Sequence, residues 1–433
     1  MSDPLNIAIA GLGTVGAGTV RLLAEQRDLL AARAGRPLRV TAVSARSRTR
    51  DRGVDLGGMR WYDDPVAMAA DADADVVVEL IGGSDGPARK VVETAIAAGR
   101  HVVTANKAML ALHGAGLASA AEAKGVSLAY EAAVAGGIPI IKALREGLAG
   151  NQVERVRGIL NGTCNYILTT MRETGRDFGD VLREAQELGY AEADPSFDID
   201  GIDAAHKLAI LTSVAFGTQV DFESVYIEGV RHVGAIDIEY AEELGYRIKL
   251  LGIAERTAHG IQQRVHPTMV PKGMPLAAVE GVFNAVQTTA DFVDTTVLEG
   301  RGAGAGPTAS AVVADLVDIA CGRCVPTFGV PASVLEPATP SAMNRHIGPY
   351  YVRLTVIDEP GVFADVAAIL RDHRISIESV IQRGRNEMAA VPVVIITHET
   401  VEASMRGALE AIAALQSVPE PPRMIRIERF RTG

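Results

Sequence analysis

Apolar residues near the start of the chain fall in blocks that predict a strand, a turn and a helix. Residues 6–10 form a short apolar block typical of a buried strand, and a helical spacing of apolar positions runs from the turn to Leu30. The turn, residues 11–16, reads G-L-G-T-V-G. Residues 39–44 then predict a second strand at the distance expected for a strand–helix–strand unit.

The same alternation of strand and helix patterns continues to residue 135. This order is typical of an α/β fold with a mostly parallel, doubly wound sheet. The further predicted strands are 75–79, 101–104 and 126–130, and the helices between them include 88–98 and 116–124.

After residue 135 the alternation becomes irregular, which indicates an α+β second domain at 136–306. Its predicted elements are helices at 139–148, 180–188 and 203–214 and strands at 153–160 and 227–230. We expect the helical residues 307–325 to pack back on the first domain, residues 1–135. Prolines then cluster within 326–349, and this composition predicts a linker.

The last part of the chain, residues 350–433, predicts a βαββαβ order. This order is the ferredoxin-like split unit. The predicted strands are 350–357, 375–382, 391–397 and 424–430, and the predicted helices are 362–373 and 401–415.

Length, charge and cysteine content narrow the function classes. The 433 residues suggest roughly three domains. A net charge of −11 without a dense Lys/Arg block argues against a nucleic-acid-binding protein. We read no signal peptide and no membrane span. The three cysteines, an odd number, suit a reducing compartment, so we expect a cytoplasmic protein.

The glycine turn at residues 11–16 has the spacing G-x-G-x-x-G between a predicted strand and a predicted helix. In that context Gly11, Gly13 and Gly16 let the chain bring helix N–H groups against a pyrophosphate, whose charge the helix dipole favours. A glycine turn in another kind of α/β protein is the alternative. The surrounding elements favour dinucleotide binding by a Rossmann-type domain.

Arginines follow the second predicted strand, in the sequence S-A-R-S-R-T-R at residues 44–50. An enzyme that uses NAD usually carries Asp or Glu here for the ribose hydroxyls, whereas arginine suits a 2′-phosphate. Arg46, Arg48 and Arg50 therefore favour NADP. NAD, and a solvated basic loop without a ligand, are the alternatives.

Asp203 and Lys207 stand four residues apart on a predicted helix, so they share one helical face. By spacing alone, an ordinary surface ion pair is the better interpretation. The loop before them, 189–200, carries four carboxylates beside glycine and proline, which offers a site for an ammonium group and a way to orient Lys207 as proton donor. A calcium loop is a competing interpretation, but its central Gly and terminal Glu are missing.

Cysteine and histidine spacings do not predict a metal site. Cys321 and Cys324 form a C-x-x-C after a helical stretch, whereas redox motifs open a helix after a strand, so a chance pair is the preferred interpretation. The nine histidines lack metal-ligand spacing, and His206 is interpreted as a packed or surface residue.

Several longer motifs occur in order along nearly the whole chain. They are I-A-G-L-G-T-V-G at 9–16, V-T-A-N-K at 103–107, Y-E-A-A-V-A-G-G-I-P at 130–139, G-I-L-N-G-T-C-N-Y at 158–166, L-G-Y-A-E-A-D-P at 188–195, D-G-I-D-A-A-H-K at 200–207 and G-A-G-A-G-P-T-A-S at 302–310. With these motifs the chain resembles the homoserine dehydrogenase family, in its monofunctional bacterial form with a C-terminal ACT domain.

The resemblance implies NAD(P)-dependent interconversion of L-homoserine and L-aspartate 4-semialdehyde, a step toward threonine, methionine and isoleucine. It implies that Lys207 donates a proton to the aldehyde oxygen and that Lys107 lies close to nicotinamide and substrate. Glu192 and Asp203 would hold the substrate, with Asp198 supporting them.

The resemblance also implies ligand sites. The residues expected at the cofactor are Gly11, Leu12, Gly13, Thr14, Val15, Gly16, Arg46, Ser84, Lys107, Gly189 and Gly306. A monovalent cation, expected to be sodium, would be held by Glu131 and the backbone carbonyls of Val134, Gly136 and Ile138. The turn at Gly361 is the expected effector site for threonine, and an ACT domain that only supports assembly is the alternative.

Two other functions remain open from the sequence. One is an amino-acid sensor without chemistry, which would have no need for the two lysines, Lys107 and Lys207, beside an acidic loop. The other is a different semialdehyde or amino-acid dehydrogenase of similar architecture. For a homoserine dehydrogenase we expect a homodimer or homotetramer.

Overall fold

The computed structural model describes residues 3–383 and 390–430. The outermost positions of the predicted first and last domains, 1–2 and 431–433, lie outside the described residues. Within these residues the strands form a 6-stranded sheet, a 10-stranded sheet and a 2-stranded ladder. No helix in the described ranges is long and apolar enough to cross a membrane.

The N-terminal unit alternates strands and helices, as predicted. Its elements are β1 (Leu5–Ala10), α1 (Thr14–Glu25), α2 (Arg27–Ala34), β2 (Leu38–Ser44), β3 (Arg60–Tyr62), α3 (Pro65–Asp71), β4 (Val76–Glu79), α4 (Pro87–Ala97), β5 (His101–Thr104), α5 (Lys107–Ala123) and β6 (Leu128–Ala129). The strands pair in parallel in the order β3-β2-β1-β4-β5-β6, which confirms the doubly wound α/β sheet. The single helix predicted to reach Leu30 is wrong, because Gln26 leaves helical geometry and α2 begins anew after it.

The middle unit mixes helices with long antiparallel strands. Its elements are α6 (Ile140–Lys142), a π-helical turn (Ala143–Gly147), β7 (Val153–Ile159), α7 (Gly162–Thr174), α8 (Phe178–Glu187), α9 (Ser196–Ile199), α10 (Ile202–Phe216), β8 (Tyr226–Ile227), α11 (Ala235–Glu243), β9 (Tyr246–Thr257), β10 (Gly260–Pro271), β11 (Phe283–Ala290) and β12 (Asp294–Arg301). The next helix, α12 (Ala305–Ala320), shares a buried core with β1 and α1 of the N-terminal unit. The four strands from β9 to β12 were not predicted from the sequence.

Strands β9 and β10 lack the alternation of apolar and polar residues that would have predicted them. Both are buried along most of their length, so polar residues occur at buried positions. The buried polar residues of β10, each at most 4% exposed, are Gln262, Gln263, Arg264, His266 and Thr268. A strand with one solvated face alternates, whereas these strands are covered on both faces.

The C-terminal unit has the predicted βαββαβ fold. Its elements are β13 (Ile347–Gly348), β14 (Tyr350–Val356), α13 (Val362–Asp372), β15 (Ile377–Gln382), β16 (Val391–Thr397), β17 (Thr400–Val401), α14 (Glu402–Ala413) and β18 (Arg423–Ile427). The order β18-β14-β16-β15, antiparallel throughout, confirms the ferredoxin-like unit. Its sheet continues into the middle unit, because β18 pairs in parallel with β10.

The segment 326–349 packs on the units that it joins. Phe328 is fully buried, with its ring centroid 5.6 Å from that of Tyr130. The N–H of Ser341 donates to the carbonyl of Ile261 over 2.8 Å. The prolines predicted an extended connection, and these contacts show that it is held against the protein surface.

Buried ion pairs join the end of β18 to the middle unit. Glu428 accepts hydrogen bonds from Arg157 at 2.9 Å and from Arg264 at 3.1 Å, and Arg264 also donates to Glu255 at 2.6 Å. These four side chains lie in residues at most 8% exposed. Burial disfavours the charge on Glu428, but the two arginines outweigh that effect and hold the pKa of Glu428 below its ordinary value.

A second contact of β18 leads toward the loop before α10. Arg426, 2% exposed, donates to Glu228 over 2.8 Å. Glu228 continues directly into Gly229 and Val230, which lie against α9. The N–H of Val230 donates to the carbonyl of Ile199 at 2.8 Å, and a Cβ added at Gly229 would lie 2.2 Å from that same oxygen. The chain after β8 therefore packs on α9 without space between them.

Replacing Glu428 by Ala should weaken the junction of the C-terminal and middle units. The change leaves Arg157 and Arg264 buried without this carboxylate, so we expect the free energy of unfolding to fall by about 3–5 kcal/mol. Guanidinium denaturation followed by circular dichroism measures it. The control is Glu399→Ala, which removes an exposed pair with Arg429 and should change stability by about 1 kcal/mol at most. Equal midpoints for the two variants would contradict the prediction.

Candidate active site

The glycine turn between β1 and α1 has two crowded positions and one open position. A Cβ added at Gly11 would lie 2.5 Å from the carbonyl oxygen of Leu80, and one at Gly16 would lie 2.0 Å from the carbonyl oxygen of Gly11. At Gly13 no atom lies within 4 Å of an added Cβ. The first turn of α1 also has no side-chain cap. The open space in front of uncapped N–H groups fits a pyrophosphate.

The remaining residues of the turn differ in exposure. Leu12 is buried in the core beneath the turn, and Val15 is half-buried. Thr14 is exposed as the first residue of α1, beside the open position. The helix N-terminus and Thr14 therefore face the same side as the open glycine.

The loop after β2 is tied to the glycine turn. The Nε of Arg52 donates to the carbonyl oxygen of Leu12 at 3.1 Å, and its guanidinium lies 5.6 Å from the centre of the Trp61 ring. This anchoring holds the basic loop beside the dinucleotide turn. The arginines that it presents to solvent are Arg46, Arg48 and Arg50.

The end of β4 is organised by Glu79, a residue that the sequence analysis did not select. Its fully buried carboxylate accepts from the N–H groups of Ile81 at 2.7 Å and Gly82 at 3.0 Å and from the hydroxyl of Thr104 at 2.6 Å. The loop thus shaped leads to Ser84, whose hydroxyl donates to the neighbouring Asp85 at 2.9 Å. The sequence feature that could have indicated this role is a carboxylate at the end of an apolar strand.

The carboxylate of Asp203 is the meeting point of two lysines. One oxygen lies 2.9 Å from the Nζ of Lys107, and the other lies 2.7 Å from the Nζ of Lys207. The amide of Asn161 donates to the second oxygen at 2.8 Å. Lys107 begins α5 of the N-terminal unit, whereas Asp203 and Lys207 lie on α10. The spacing of Asp203 and Lys207 predicted an ordinary surface ion pair. The pair is instead buried, and the carboxylate of Asp203 also binds a second ammonium group, that of Lys107.

Burial and charge act differently on the three groups. Burial favours the neutral form of Asp203, but Lys207 and Lys107 outweigh it and hold the pKa of Asp203 well below its ordinary value. Burial lowers the pKa of Lys207, and the charge of Lys107 adds to that lowering. Burial also opposes the charge of Lys107, yet the surrounding carboxylates, with Asp203 first, raise its pKa.

Asn161 orients two carboxylates of the site, and the sequence analysis gave it no role. Its Nδ2 donates to Asp198 at 2.7 Å as well as to Asp203, while its Oδ1 caps α7 by accepting from the N–H of Cys164 at 2.8 Å. Burial and the nearby charge of Asp203 raise the pKa of Asp198. An asparagine directly after the predicted strand 153–160 was the local signal for this cap.

Three further residues predicted to contact substrate or cofactor are exposed: Gly189, Glu192 and Gly306. Glu192 lies in the loop after α8, close enough for its charge to raise the pKa of Lys107. Gly189 follows α8 at a φ of +75°, and Gly306 lies in the first turn of α12. Both glycines are exposed, which leaves their backbone open to a ligand.

The predicted cation ligand Glu131 is 2% exposed. Its two carboxylate oxygens accept from the N–H groups of Ile141 and Lys142, each at 2.9 Å. Burial and the neighbouring carboxylate of Asp315 raise the pKa of Glu131 to about 7. Lys142 pairs with Asp315 at 3.2 Å. Two buried carboxylates thus lie together here, and their chemistry fits a small cation.

The backbone after Glu131 makes a tight turn that contains the other predicted cation ligands. Ala135 has a φ of +54° and Gly136 a φ of +39°. In the described ranges no group of three or more His, Cys, Asp or Glu side chains could hold a metal ion, so a cation here would depend on backbone oxygens. Those expected to supply them are Val134, Gly136 and Ile138, all buried.

The predicted effector residue Gly361 lies at the surface of the C-terminal unit, directly before α13. It has a φ of +99°, and a Cβ added there would meet no atom within 4 Å. Backbone conformation, and not lack of space, therefore favours glycine at this position.

Comparison with known proteins identifies the family. Family models described as homoserine dehydrogenase and as its NAD binding domain match residues 139–317 and 11–131, and an ACT domain model matches 350–415. A homoserine dehydrogenase of Neisseria gonorrhoeae is 47% identical, over 98% of this chain and 99% of its own length. The chain belongs to the homoserine dehydrogenase family. It is therefore an NAD(P)-dependent oxidoreductase of amino-acid biosynthesis, and the resemblance drawn from the motifs is confirmed.

Solved homoserine dehydrogenases share the fold. One from Thiobacillus denitrificans has a TM-score of 0.93 and 47% identity, with 98% of each chain covered. A hyperthermophilic archaeal homoserine dehydrogenase in complex with NADPH has a TM-score of 0.63 and 29% identity, over 73% of this chain and 97% of its own. The family assignment decides against the two alternatives, a sensor without chemistry and another kind of dehydrogenase.

The glycine turn predicts opposite effects for two valine substitutions. Gly13→Val adds a side chain where the turn is open, so the protein should keep its stability while the Kd for NADPH rises roughly tenfold or more. Gly16→Val forces a side chain into the carbonyl of Gly11 and should lower the melting temperature. Fluorescence titration with NADPH and thermal melting separate the effects. Unchanged NADPH binding by Gly13→Val would contradict this assignment.

Proposed function

We propose that Lys207 donates the proton when this enzyme reduces L-aspartate 4-semialdehyde to L-homoserine. The observation that carries the proposal is the convergence of Lys107 and Lys207 on Asp203, at 2.9 and 2.7 Å. Bound nicotinamide supplies the hydride. As the carbonyl carbon is reduced its oxygen becomes an alkoxide, which a nearby ammonium group stabilises and protonates.

The two lysines take different roles because their environments differ. Lys207 is the more deeply buried, with 10% of its side chain exposed, and burial lowers its pKa, so its ammonium releases a proton more readily. Lys107 is 33% exposed, and the carboxylates around it raise its pKa. We assign proton donation to Lys207 and stabilisation of negative charge to Lys107.

The acidic residues bind the substrate in this proposal. Semialdehyde and homoserine both carry an α-ammonium group, which carboxylates recognise. We assign this contact to Glu192 and Asp203, with Asp198 in support. Asn161 donates to Asp198 and Asp203 at 2.7 and 2.8 Å, which keeps both carboxylates directed at one space.

Lys207→Ala should reduce the turnover of semialdehyde roughly a hundredfold or more, while NADPH affinity is retained. The loss follows from removal of the group that protonates the alkoxide. Turnover is measured by NADPH absorbance with L-aspartate 4-semialdehyde, and affinity by fluorescence titration. Lys272→Ala, which removes an exposed lysine paired with Glu242, is the control. Near-normal turnover by the Lys207 variant would contradict proton donation by Lys207.

We also propose that NADP is preferred to NAD. The strand β2 ends in Ser44 and not in an acidic residue, and the arginines of the following loop are exposed beside the glycine turn. Guanidinium groups pair well with a 2′-phosphate, which only NADP carries.

Arg46→Ala should raise the Kd for NADPH roughly tenfold and leave that for NADH unchanged, because only the first has the 2′-phosphate. Parallel titrations with both nucleotides measure the ratio. The control is Arg27→Ala, which removes an exposed arginine of α2. Equal losses for the two nucleotides, or no loss for either, would contradict a 2′-phosphate contact.

The cation proposal rests on the turn that begins at Glu131. We assign sodium to the Glu131 carboxylate and the carbonyls of Val134, Gly136 and Ile138. A cation there would offset the charge of two buried carboxylates, those of Glu131 and Asp315, beside the ammonium of Lys142. Its role would be to hold the turn before α6.

The remaining proposals concern regulation, assembly and location. The ACT domain match at 350–415 and the open backbone at Gly361 support threonine as an effector. We propose a homodimer or homotetramer. The free thiols of Cys164, Cys321 and Cys324 support a reducing cytoplasm.

A further inference from the structure

The ring of Phe197 lies at the substrate site, and the proposed reaction gives it no role. Phe197 belongs to the short helix α9, directly before Asp198, and it is 42% exposed. The Nζ of Lys107 lies 5.8 Å from the centre of the ring. An ammonium at this distance over an aromatic face is attracted by the ring quadrupole.

Two further rings hold Phe197 in place. The ring centroid of His206 lies 5.5 Å from that of Phe197, and the centroid of Phe222 lies 4.3 Å from that of His206. His206 is 6% exposed, and its Nδ1 has no hydrogen-bond partner among the residues that the structure describes. Burial lowers the pKa of His206, so a neutral ring adjoins the ammonium of Lys107. The imidazole therefore acts as an aromatic packing surface for Phe197.

We propose that Phe197 is a positioning residue that holds the ammonium of Lys107 against Asp203. The ring face and the carboxylate bind the same ammonium, at 5.8 and 2.9 Å. Contact with His206, which in turn packs on Phe222, holds the ring, so the ammonium keeps its place when substrate enters and leaves. The proposal rests on the proposed function, because Lys107 is there the group that stabilises the alkoxide.

The charged groups that face Lys107 come from three parts of the fold. Carboxylates face it from α10, from α9 and from the part of the acidic loop before α9. All three raise the pKa of Lys107: Asp203, Asp198 and Glu192. Lys207 and His206 on α10 are the other titratable groups beside it. Burial acts in the opposite direction. An aromatic face adds to the carboxylates, since it also favours the charged amine.

Phe197→Leu and Phe197→Tyr form a matched pair for the test. Leucine keeps an apolar side chain over Lys107 but has no ring face, so we expect the pKa of Lys107 to fall and turnover of semialdehyde to drop roughly three- to tenfold. Tyrosine keeps the face and should restore both. Competitive acetylation of the native enzyme across a pH series, with the Lys107 peptide quantified by mass spectrometry, gives the titration without any turnover.

The outcomes separate the contact from the reaction. A Leu variant that titrates like the wild type, or a Tyr variant that titrates like the Leu variant, would overturn the proposal. A shift in the Lys107 titration without loss of turnover would support the contact and count against the role of Lys107 in the proposed function. NADPH affinity and melting temperature verify folding. Phe292→Leu, at a ring that is 87% exposed in the turn before β12, is the control.

Discussion

One buried carboxylate, that of Asp203, ties the N-terminal unit to the middle unit. Its side chain is 4% exposed, and an isolated carboxylate at that depth would take up a proton. Lys107 and Lys207 supply the positive charge that keeps it ionised. Because Lys107 begins α5 and Asp203 lies on α10, the same charge fixes how the nucleotide-binding sheet faces the acidic loop. The proposed cofactor and substrate sites are therefore held together by the same ion pairs to which we assign a part in the reaction.

A second group of buried charges lies at the junction of the C-terminal and middle units. Glu428, Arg157 and Arg264 form this cluster between β18 and the middle strands. Each charge there costs free energy to bury, and only its partners offset that cost. The two clusters differ in access. The cluster at β18 is buried, whereas the side chain of Lys107 remains 33% exposed, as its proposed contact with substrate requires.

The sequence predicted the parts of the protein whose partners are near along the chain. The glycine turn joins adjacent elements, the C-terminal unit follows regular periods, and Asp203 and Lys207 are one helical turn apart. Contacts between distant segments left no local signal. The spacing of Asp203 and Lys207 indicated a surface ion pair, and the contact with Lys107, from a distant part of the chain, could not be predicted. The central strand β10 was not predicted because it carries polar residues at buried positions. Their partners, such as Glu428, lie far along the chain. Glu79 acts on backbone N–H groups of the following loop, and Asn161 acts on carboxylates about forty residues away, so both roles depend on the folded structure.

The missing side chain at Gly229 gives the C-terminal unit little freedom to move by itself. Arg426 holds Glu228, and the next residue rests directly on the carbonyl of Ile199. No open space separates Gly229 from Ile199 in this series of contacts. A displacement of β18 must either break the pair of Arg426 and Glu228 or be passed on to α9, a helix of only four residues. That helix carries Asp198, so a shift of β18, which lies between β10 and β14 inside the 10-stranded sheet, would also move a carboxylate of the proposed substrate site.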